Sequence, residues 1–539
     1  MGNGNDIKVK KPGFRTLFPL MGFIPFVMLF ALPVMLVLSH AGNGEIIRIL
    51  STPYYLRLIR FTVFQALLST LISLAAGLPA AYLLSNYNFR AKRFFRTVFS
   101  VPFVLPSIIV VLGFVIFYGN SGYLNTFLMA VLKTPEPPLR ILYRFPAVIA
   151  AHVFYNFPVI VSVLTSQWSS LPGDCEECAT IDGANPVQVF FNITLPRLLP
   201  SVASACSLVF LYCFTSFAII LVLGGGPSLS TIEVEIYRKA RLESDIATAS
   251  ALSLVSLFFV SLILIVHLKL ERKVHIHDGS SYHVMKKLGK KSVPAYIYLF
   301  IAALGLLLPM VSVAARSLFT SVSRGGASVF SLKAYQGLLK NPSAILNSVV
   351  TAIFSSVFGT ICALSVCYYI VNGRNKVGRR IASFSVLLPL AVSSIILGLG
   401  YFMISDYFRN LHPLLILVPV HSIIIIPFAV RTILPAYRNI PVSLTEDALT
   451  MGAKDFRIFI SVHLPFMRRA VISSLAFGFA ISIGELNSTV LLGFSTFPTI
   501  PMQIYALIGS YNYQGACAMG TLLILICFLA FSFRSADQS

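Results

Sequence analysis

The side chains that could do chemistry in this sequence are few and widely separated. One carboxylate, Glu485, lies inside a long apolar run, where a charge is costly and therefore suggests a function. Cys175 and Cys178 form a C-x-x-C pair, but no second pair lies nearby, which favours ordinary loop residues over a redox or zinc site. His152 and His421 also fall in apolar runs, where a histidine more often hydrogen-bonds a neighbouring helix than binds a ligand.

The motifs of common enzymes are missing from the sequence. It has no G-x-S-x-G, no His and Glu set with metal-ligand spacing, and no pair of carboxylates within an apolar run. The nearest approach to a nucleotide-binding P-loop, residues 289–292, lacks the first glycine and the hydroxyl that should follow the lysine. We therefore expect no enzymatic activity, metal or cofactor in this chain, and any ATP and Mg²⁺ to be bound by another polypeptide.

The composition is that of a polytopic membrane protein. Of 539 residues, 57% are apolar and only 11% charged, with a mean hydropathy of +0.84. The net charge of +22 does not indicate nucleic acid binding, because no basic stripe with interleaved aromatic residues occurs. Twelve apolar runs are long enough to cross a bilayer. They are residues 17–39, 61–84, 97–118, 145–167, 199–222, 247–268, 293–313, 345–371, 381–404, 413–430, 470–493 and 515–533.

These runs predict an all-α fold with about twelve transmembrane helices. No Lys or Arg falls inside any run, and Glu485 is the only acidic residue that does. With the N-terminus in the cytoplasm, the cytoplasmic segments carry 27 Lys and Arg and the outer segments 14, as the positive-inside rule requires. We therefore predict that both termini are cytoplasmic, and that residues 17–39 are a retained span, not a signal peptide.

A motif occurs twice in segments predicted to be cytoplasmic. Its pattern is Glu-x-Ala-x-x-x-Gly, nine residues, Ile or Val, one residue and Leu-Pro, and the copies are offset by 269 residues. The motif residues are Glu177, Ala179, Gly183, Ile193 and Pro196 in the first copy and Glu446, Ala448, Gly452, Val462 and Pro465 in the second. A short helix that ends in a glycine turn would form a compact knob for a partner.

The repeat extends beyond the motif. The same offset pairs His152 with His421 and Ser216 with Glu485, and an offset of 287 pairs Gly113 with Gly400. We therefore predict two parallel six-span halves, residues 1–270 and 293–539, joined by a cytoplasmic linker at 271–292. Parallel repeats commonly enclose a substrate path near the membrane midplane.

The repeated motif resembles that of the permease subunits of type I, binding-protein-dependent ABC importers. The departures are Cys178 and Asp447 at the first Ala of the motif, and Val462 at its Ile. The resemblance implies that the motif residues contact a separate pair of ATPase subunits and that Pro196 and Pro465 start the following spans. It also implies an extracytoplasmic substrate-binding protein as partner and a place in the cytoplasmic (inner) membrane.

Within that family, the fused two-half form resembles the thiamine and iron(III) branch. Residues 151–158 and 216–237 look most like the thiamine permeases, which implies import of thiamine or its phosphates. Iron(III) is the alternative substrate. An ion-coupled secondary transporter is a more distant alternative, and a structural membrane factor would leave the two matched motifs unexplained.

Two further sites are candidates. The turn Gly224, Gly225, Gly226 and Pro227 is expected in an outer loop near the dock of the binding protein. Glu485, Ser216, His152 and His421 are candidates for the substrate pathway or for gating. For Glu485, a role in tying helices together is slightly favoured over contact with a passing cation, because Ser216 stands at the equivalent position.

Overall fold

The structure is a computed structural model that describes residues 14–272, 286–287, 289, 292–321, 328–373, 375–407 and 411–536. Most of the predicted linker at 271–292 and most of the basic N-terminal tail lie outside these ranges. The described chain is almost entirely helical, as the apolar runs predict, because a helix satisfies all its backbone hydrogen bonds internally in lipid. We use first half for the described residues before 272 and second half for the described residues after 292, and the helices counted below are those of these residues.

Thirteen helices form the first half. They are α1 (Phe14–His40), α2 (Asn43–Ser51), α3 (Pro53–Asn86), α4 (Lys92–Val104), α5 (Ser107–Tyr118), α6 (Tyr123–Leu132), α7 (Phe145–Ser169), α8 (Asp174–Ile181), α9 (Pro186–Val189), α10 (Leu195–Phe214), α11 (Ala218–Leu223), α12 (Ile232–Tyr237) and α13 (Ile246–Glu271). Single π-helical turns occupy Phe190–Thr194 and Arg238–Leu242, and a 3₁₀ turn occupies Pro227–Leu229.

Thirteen more helices form the second half. They are α14 (Val293–Leu318), α15 (Lys333–Lys340), α16 (Ser343–Asn372), α17 (Lys376–Ser385), α18 (Ser394–Tyr407), α19 (Leu414–Arg438), α20 (Val442–Thr450), α21 (Asp455–Ile458), α22 (Leu464–Phe466), α23 (Arg468–Ile483), α24 (Asn487–Leu492), α25 (Ile500–Gly509) and α26 (Tyr513–Ala536). A 3₁₀ turn lies at Leu388–Ala391 and a π-helical turn at Phe459–His463.

The described strands are very short. They are β1 (Tyr87–Asn88), β2 (Lys286–Lys287), β3 (Phe319–Ser321) and β4 (Ser328–Phe330). β1 pairs with β2 in parallel, and β3 pairs with β4 antiparallel, with Phe319 opposite Phe330. These pairs are small additions to an all-α fold.

The number of membrane-spanning helices agrees with the prediction, but several of the predicted spans are interrupted. Among the described residues, ten stretches are long and apolar enough to cross a membrane, and twelve if each of two bent helix pairs counts as one span. The span predicted at 381–404 is bent by 92° between residues 391 and 394. The span predicted at 97–118 is interrupted between α4 and α5, where Pro106 immediately precedes Ser107. Proline explains that interruption, because it disfavours helical geometry in the residue before it.

Two further predicted spans are interrupted within their apolar runs. The run 199–222 is helical only to Phe214 and resumes at Ala218, and the run 470–493 is helical to Ile483 and resumes at Asn487. The predictions of unbroken spans at these places were wrong. Both interruptions fall at the same place in the repeat, and each is followed by a short helix, α11 or α24.

The first helix of each half packs on the other half. α1 packs against α16 and α18, and α14 packs against α5. A Cβ atom on Gly400 would lie 2.5 Å from the carbonyl oxygen of Pro33, and one on Gly113 would lie 2.8 Å from Cε of Met310 and 3.1 Å from the oxygen of Pro309. The paired glycines of the repeat therefore mark two of the places where the halves approach closely.

Candidate functional site

Ser216 lies in the break between α10 and α11, and Glu485 lies in the break between α23 and α24. The hydroxyl of Thr215 donates to the carbonyl of Leu211, which is one of the last in α10. Glu485 Oε1 accepts hydrogen bonds from the backbone N–H of Ser488 at 3.1 Å and from its hydroxyl at 3.3 Å, which satisfies the start of α24. Discontinuous helices of this kind form substrate sites in many transporters.

A cavity of about 350 Å³ lies between the two halves, and both breaks line it. Its polar and aromatic wall residues come from both halves, and none of the wall residues is Lys or Arg. They are Ser107, His152, Tyr155, Asn156, Tyr212, Thr215, Ser216 and Phe217 of the first half and Ser393, Ser394, Phe428, Phe477, Glu485, Asn487 and Phe531 of the second. Glu485 is the one carboxylate among them, so the cavity fits a small solute that carries positive charge and an aromatic or apolar body.

The two paired histidines differ in their relation to this cavity. His152 lines it, with Nδ1 3.1 Å from Oγ of Ser69 and Nε2 2.9 Å from Oγ of Ser216. His421 is absent from the wall, and its ring nitrogens lie 2.7 Å from Oγ of Ser482 and 3.4 Å from Oγ1 of Thr489. The structure thus brings Glu485, Ser216 and His152 together and leaves His421 out.

The two copies of the repeated motif have the same backbone geometry. Gly183 and Gly452 follow α8 and α20 with φ of +86° and +80°. In the first copy, the N–H of Ala184 donates to the carbonyl of Ala179 at 2.9 Å, and in the second the N–H of Ala453 donates to that of Ala448 at 3.0 Å. This pattern is a Schellman turn, which favours glycine because the left-handed conformation is costly for a residue with a Cβ atom. The predicted glycine turns are confirmed.

We call residues 174–196 and 442–465 the coupling segments. They present much apolar surface, since no side chain of α8 or α20 is buried and Ile181 and Met451 are 84% and 87% exposed. Glu177 and Glu446 are exposed, Ala179 and Ala448 are half-buried, and so are Ile193 and Val462. Exposed apolar residues beside acidic ones form a surface suited to a protein partner.

Each coupling segment is tied to the start of the next membrane helix, but by different side chains. In the first half, the hydroxyl of Thr194 donates to Glu176 Oε1. In the second, Nε2 of His463 lies 3.2 Å from Oγ1 of Thr445, and its Nδ1 lies 2.9 Å from the Tyr437 hydroxyl. These ties were not predicted, because the paired residues differ in type and only their positions correspond.

The prediction for the two motif prolines holds in one copy only. Pro196 lies in the first turn of α10, the following span. Pro465 lies in the three-residue α22, and the long helix α23 begins afterwards, at Arg468, with a bend of 74°. The chain between α22 and α23 is interrupted at Met467, so Pro465 starts a short turn and not the span itself.

The glycine-rich turn after α11 packs on another loop of the first half. Gly225 and Gly226 have φ of +69° and +137°, a conformation that favours glycine. A Cβ atom on Gly225 would lie 2.5 Å from the carbonyl oxygen of Tyr143. The turn at residues 224–227 is therefore set by close packing, not by loop flexibility.

Comparison with known proteins identifies the class of the chain. Residues 73–276 and 355–536 match the family described as binding-protein-dependent transport system inner membrane component. The chain belongs to this family. The permease therefore consists of two fused copies of one membrane component, and it is a component of a transport system.

Several characterised relatives align with the permease over most of its length. The thiamine transport system permease protein of Brucella abortus is 27% identical over 91% of this chain and 89% of its own. That of Escherichia coli is 25% identical over 92% and 91%, and the ferric transport system permease protein of Actinobacillus pleuropneumoniae is 24% identical over 89% and 71%. A chain of a bacterial ABC transporter for alginate aligns with 48% of the permease and 94% of itself, with 20% identity and a TM-score of 0.41.

The structure also buries carboxyl groups that lie outside the predicted spans. Glu485 is the only acidic residue within a predicted span, but Glu233 and Glu235 of α12 are completely buried as well, and Glu233 accepts hydrogen bonds from the hydroxyls of Ser256 and Ser393. Glu233 lies in a short stretch, Thr231 to Glu235, in which polar residues recur, and this pattern is typical of a loop. Its partners lie on α13 and beside α18, so only the tertiary structure reveals the burial.

Proposed function

We propose that the permease imports thiamine, or its phosphates, as the membrane subunit of an ABC importer. The observation that carries the proposal is the similarity to thiamine permeases over about nine-tenths of both chains. The cavity supports it, because thiamine is a small aromatic cation and the wall combines aromatic side chains with one carboxylate.

In this proposal the driving force comes from a separate pair of ATPase subunits. Their clefts receive the two coupling segments, whose glycine turns and exposed apolar side chains form matching knobs on the two halves. An extracytoplasmic binding protein delivers the substrate at the opposite face, close to the turn at residues 224–227. Movement of the halves then exposes the cavity to each side of the membrane in turn.

Uptake by intact cells tests the substrate. A strain without thiamine uptake, expressing this chain with its ATPase and its binding protein, is expected to accumulate radiolabelled thiamine, and unlabelled thiamine should compete. Iron(III) is the second candidate, because the ferric permease of Actinobacillus pleuropneumoniae also aligns with most of this chain. Accumulation of labelled iron without accumulation of thiamine would overturn the proposal in favour of iron.

The carboxylate in the cavity provides a sharper test. We expect Glu485→Gln to lower thiamine uptake about tenfold, equivalent to about 1.4 kcal/mol, while ATP hydrolysis stimulated by the binding protein persists. Glutamine keeps the acceptor for Ser488 but removes the charge that a cation would meet. Glu136→Gln is the control, since it removes an exposed carboxylate that does not line the cavity. Full uptake in the glutamine variant would mean that the carboxylate only holds the start of α24.

We also propose that both termini and the linker at 271–292 lie in the cytoplasm. The linker carries Lys286, Lys287, Lys290 and Lys291, and such clusters resist translocation. A cysteine at Ser280 is therefore expected to react with a membrane-impermeant maleimide in inverted vesicles and not in intact cells. Labelling in intact cells would reverse the proposed orientation.

A further inference from the structure

A segment of the first half crosses to the second half on the face opposite the coupling segments. This segment, residues 224–245, joins α11 to α13, and we call it the crossing segment. It lies on the opposite face because α10 leads to it from the first coupling segment and spans about 30 Å. Its Glu233 has no exposed surface.

The carboxyl group of Glu233 joins the two halves. Its Oε1 accepts from the hydroxyl of Ser256 on α13 at 2.8 Å, within the first half. Its Oε2 accepts from the hydroxyl of Ser393 at 2.7 Å, and Ser393 belongs to the second half and lines the cavity. Glu233 therefore lies directly behind the cavity wall and holds a wall residue of the other half.

A second contact of the crossing segment reaches the same half. Arg241 donates from Nη2 to the carbonyl oxygen of Gly493 at 3.1 Å, at the end of α24. Its guanidinium carbon also lies 5.5 Å from the ring centroid of Phe402 on α18. Glu233 and Arg241 thus bind the second half from two places on one segment.

The crossing segment is firmly attached to its own half. The hydroxyl of Tyr54 on α3 donates to Glu235 and accepts from Arg238 at 3.2 Å, and the N–H of Ile232 donates to the hydroxyl oxygen of Thr62 on α3 at 3.1 Å. Because the segment is attached in this way, the two halves can part on this face only if the contacts of Glu233 and Arg241 break.

The equivalent segment of the second half makes no matching contacts. Its Ile500 N–H donates to Ser348, and Pro498 accepts from Asn347, both in its own half. When α12 and α25 are aligned at their first residues, Ile232 and Ile500, the position equivalent to Glu233 is Pro501, which has no side-chain acceptor. Within the described residues, no side chain of 487–509 hydrogen-bonds the first half. The side-chain hydrogen bonding across this face is therefore one-sided, although α25 packs against α5 of the first half.

We propose that Glu233 is the latch residue of a one-sided gate that closes the cavity on the face opposite the coupling segments. Glu233 acts by positioning Ser393 in the wall, and the gate opens when Ser393 leaves the carboxyl group. The latch rests on one part of the proposed function, namely that the two halves part on this face during transport.

Accessibility of the cavity tests the latch. In the full-length chain with Cys175→Ser and Cys178→Ser, a cysteine replaces Thr215 in the cavity wall, and its reaction with an impermeant maleimide is timed. Adding Glu233→Ala is expected to raise the labelling rate from this face about tenfold, the factor that corresponds to about 1.4 kcal/mol and lies within the range for loss of a single hydrogen bond. Ser393→Ala should act in the same direction.

The controls separate a latch from a general loss of structure. Glu233→Gln should restore slow labelling, because the amide can still accept from one hydroxyl and donate to the other. Ser253→Ala is the matched control, since Ser253 is buried on α13 but donates only to the carbonyl of Ala249. Equal rates in the parent, Glu233→Ala and Ser393→Ala chains would overturn the proposal, as would fast labelling in the Ser253→Ala chain.

The orientation of the protein is tested separately in the same experiment. A cysteine at the exposed Ser228 of the crossing segment reports which side of the membrane carries this face. The labelling rates of the cysteine at position 215 are then compared in intact cells or in inverted vesicles, depending on the preparation in which the cysteine at position 228 reacts. Labelling of Ser228 only in inverted vesicles would contradict the proposed topology and leave the test of the latch valid.

Discussion

Gly400→Ala is expected to destabilise the permease by about 1–3 kcal/mol, in the range of overpacked cores, and Gly400→Leu by more. The added Cβ atom would lie 2.5 Å from the carbonyl oxygen of Pro33, and a backbone atom cannot move aside as a side-chain end can. Because Pro33 lies on α1 and Gly400 on α18, the change should loosen α1 from the second half. A lower midpoint of thermal unfolding and aggregation of the purified chain would report the loss.

Alanine variants of two other glycines serve as comparisons for Gly400→Ala. Gly305 on α14 has no atom within 4 Å of an added Cβ atom, so Gly305→Ala should leave the unfolding midpoint unchanged or raise it. Gly113→Ala should cost less than Gly400→Ala, because its nearest contact is the flexible end of Met310. Equal stability of the Gly400→Ala and Gly305→Ala chains would show that α1 is not held at this crossing.

The double variant Gly183→Val, Gly452→Val is expected to reduce transport to less than about a tenth, while the amount of inserted protein stays near normal. Each valine must adopt a left-handed conformation that costs about 1–2 kcal/mol, so the Schellman turns should open and the coupling segments lose their shape. No atom lies within 4 Å of an added Cβ atom at either glycine, so the effect comes from the backbone and not from a clash. Co-purification of the ATPase subunit and uptake of labelled substrate measure it.

The control for this variant is on the same segment. Gly173 precedes α8 with φ of −72° and has free space around it, so Gly173→Val should retain uptake and ATPase binding. Each single variant should retain part of the activity, because the second coupling segment still docks. If the double variant transported like the Gly173→Val chain, the two segments would not be the ATPase contacts.

The sequence alone was enough for the membrane class, the repeat and the shape of the coupling segments. A charged residue is costly at any position in a membrane helix, so membrane helices can be recognised in the sequence as apolar runs without knowledge of how they pack. The turns at Gly183 and Gly452 depend on hydrogen bonds between residues a few positions apart, and such local geometry is set by the local sequence.

Only the tertiary structure decided where the membrane helices break and which polar groups meet. The runs 199–222 and 470–493 are apolar on average, so their hydropathy does not reveal the three-residue breaks at Ser216 and Glu485. The helix ends at these breaks find their hydrogen-bond partners within the fold. The difference between His152 and His421 depends on which helix faces the cavity, and that follows from how the halves pack. The burial of Glu233 depends on Ser393, 160 residues away, because a carboxyl group can leave water only where distant elements supply its hydrogen bonds.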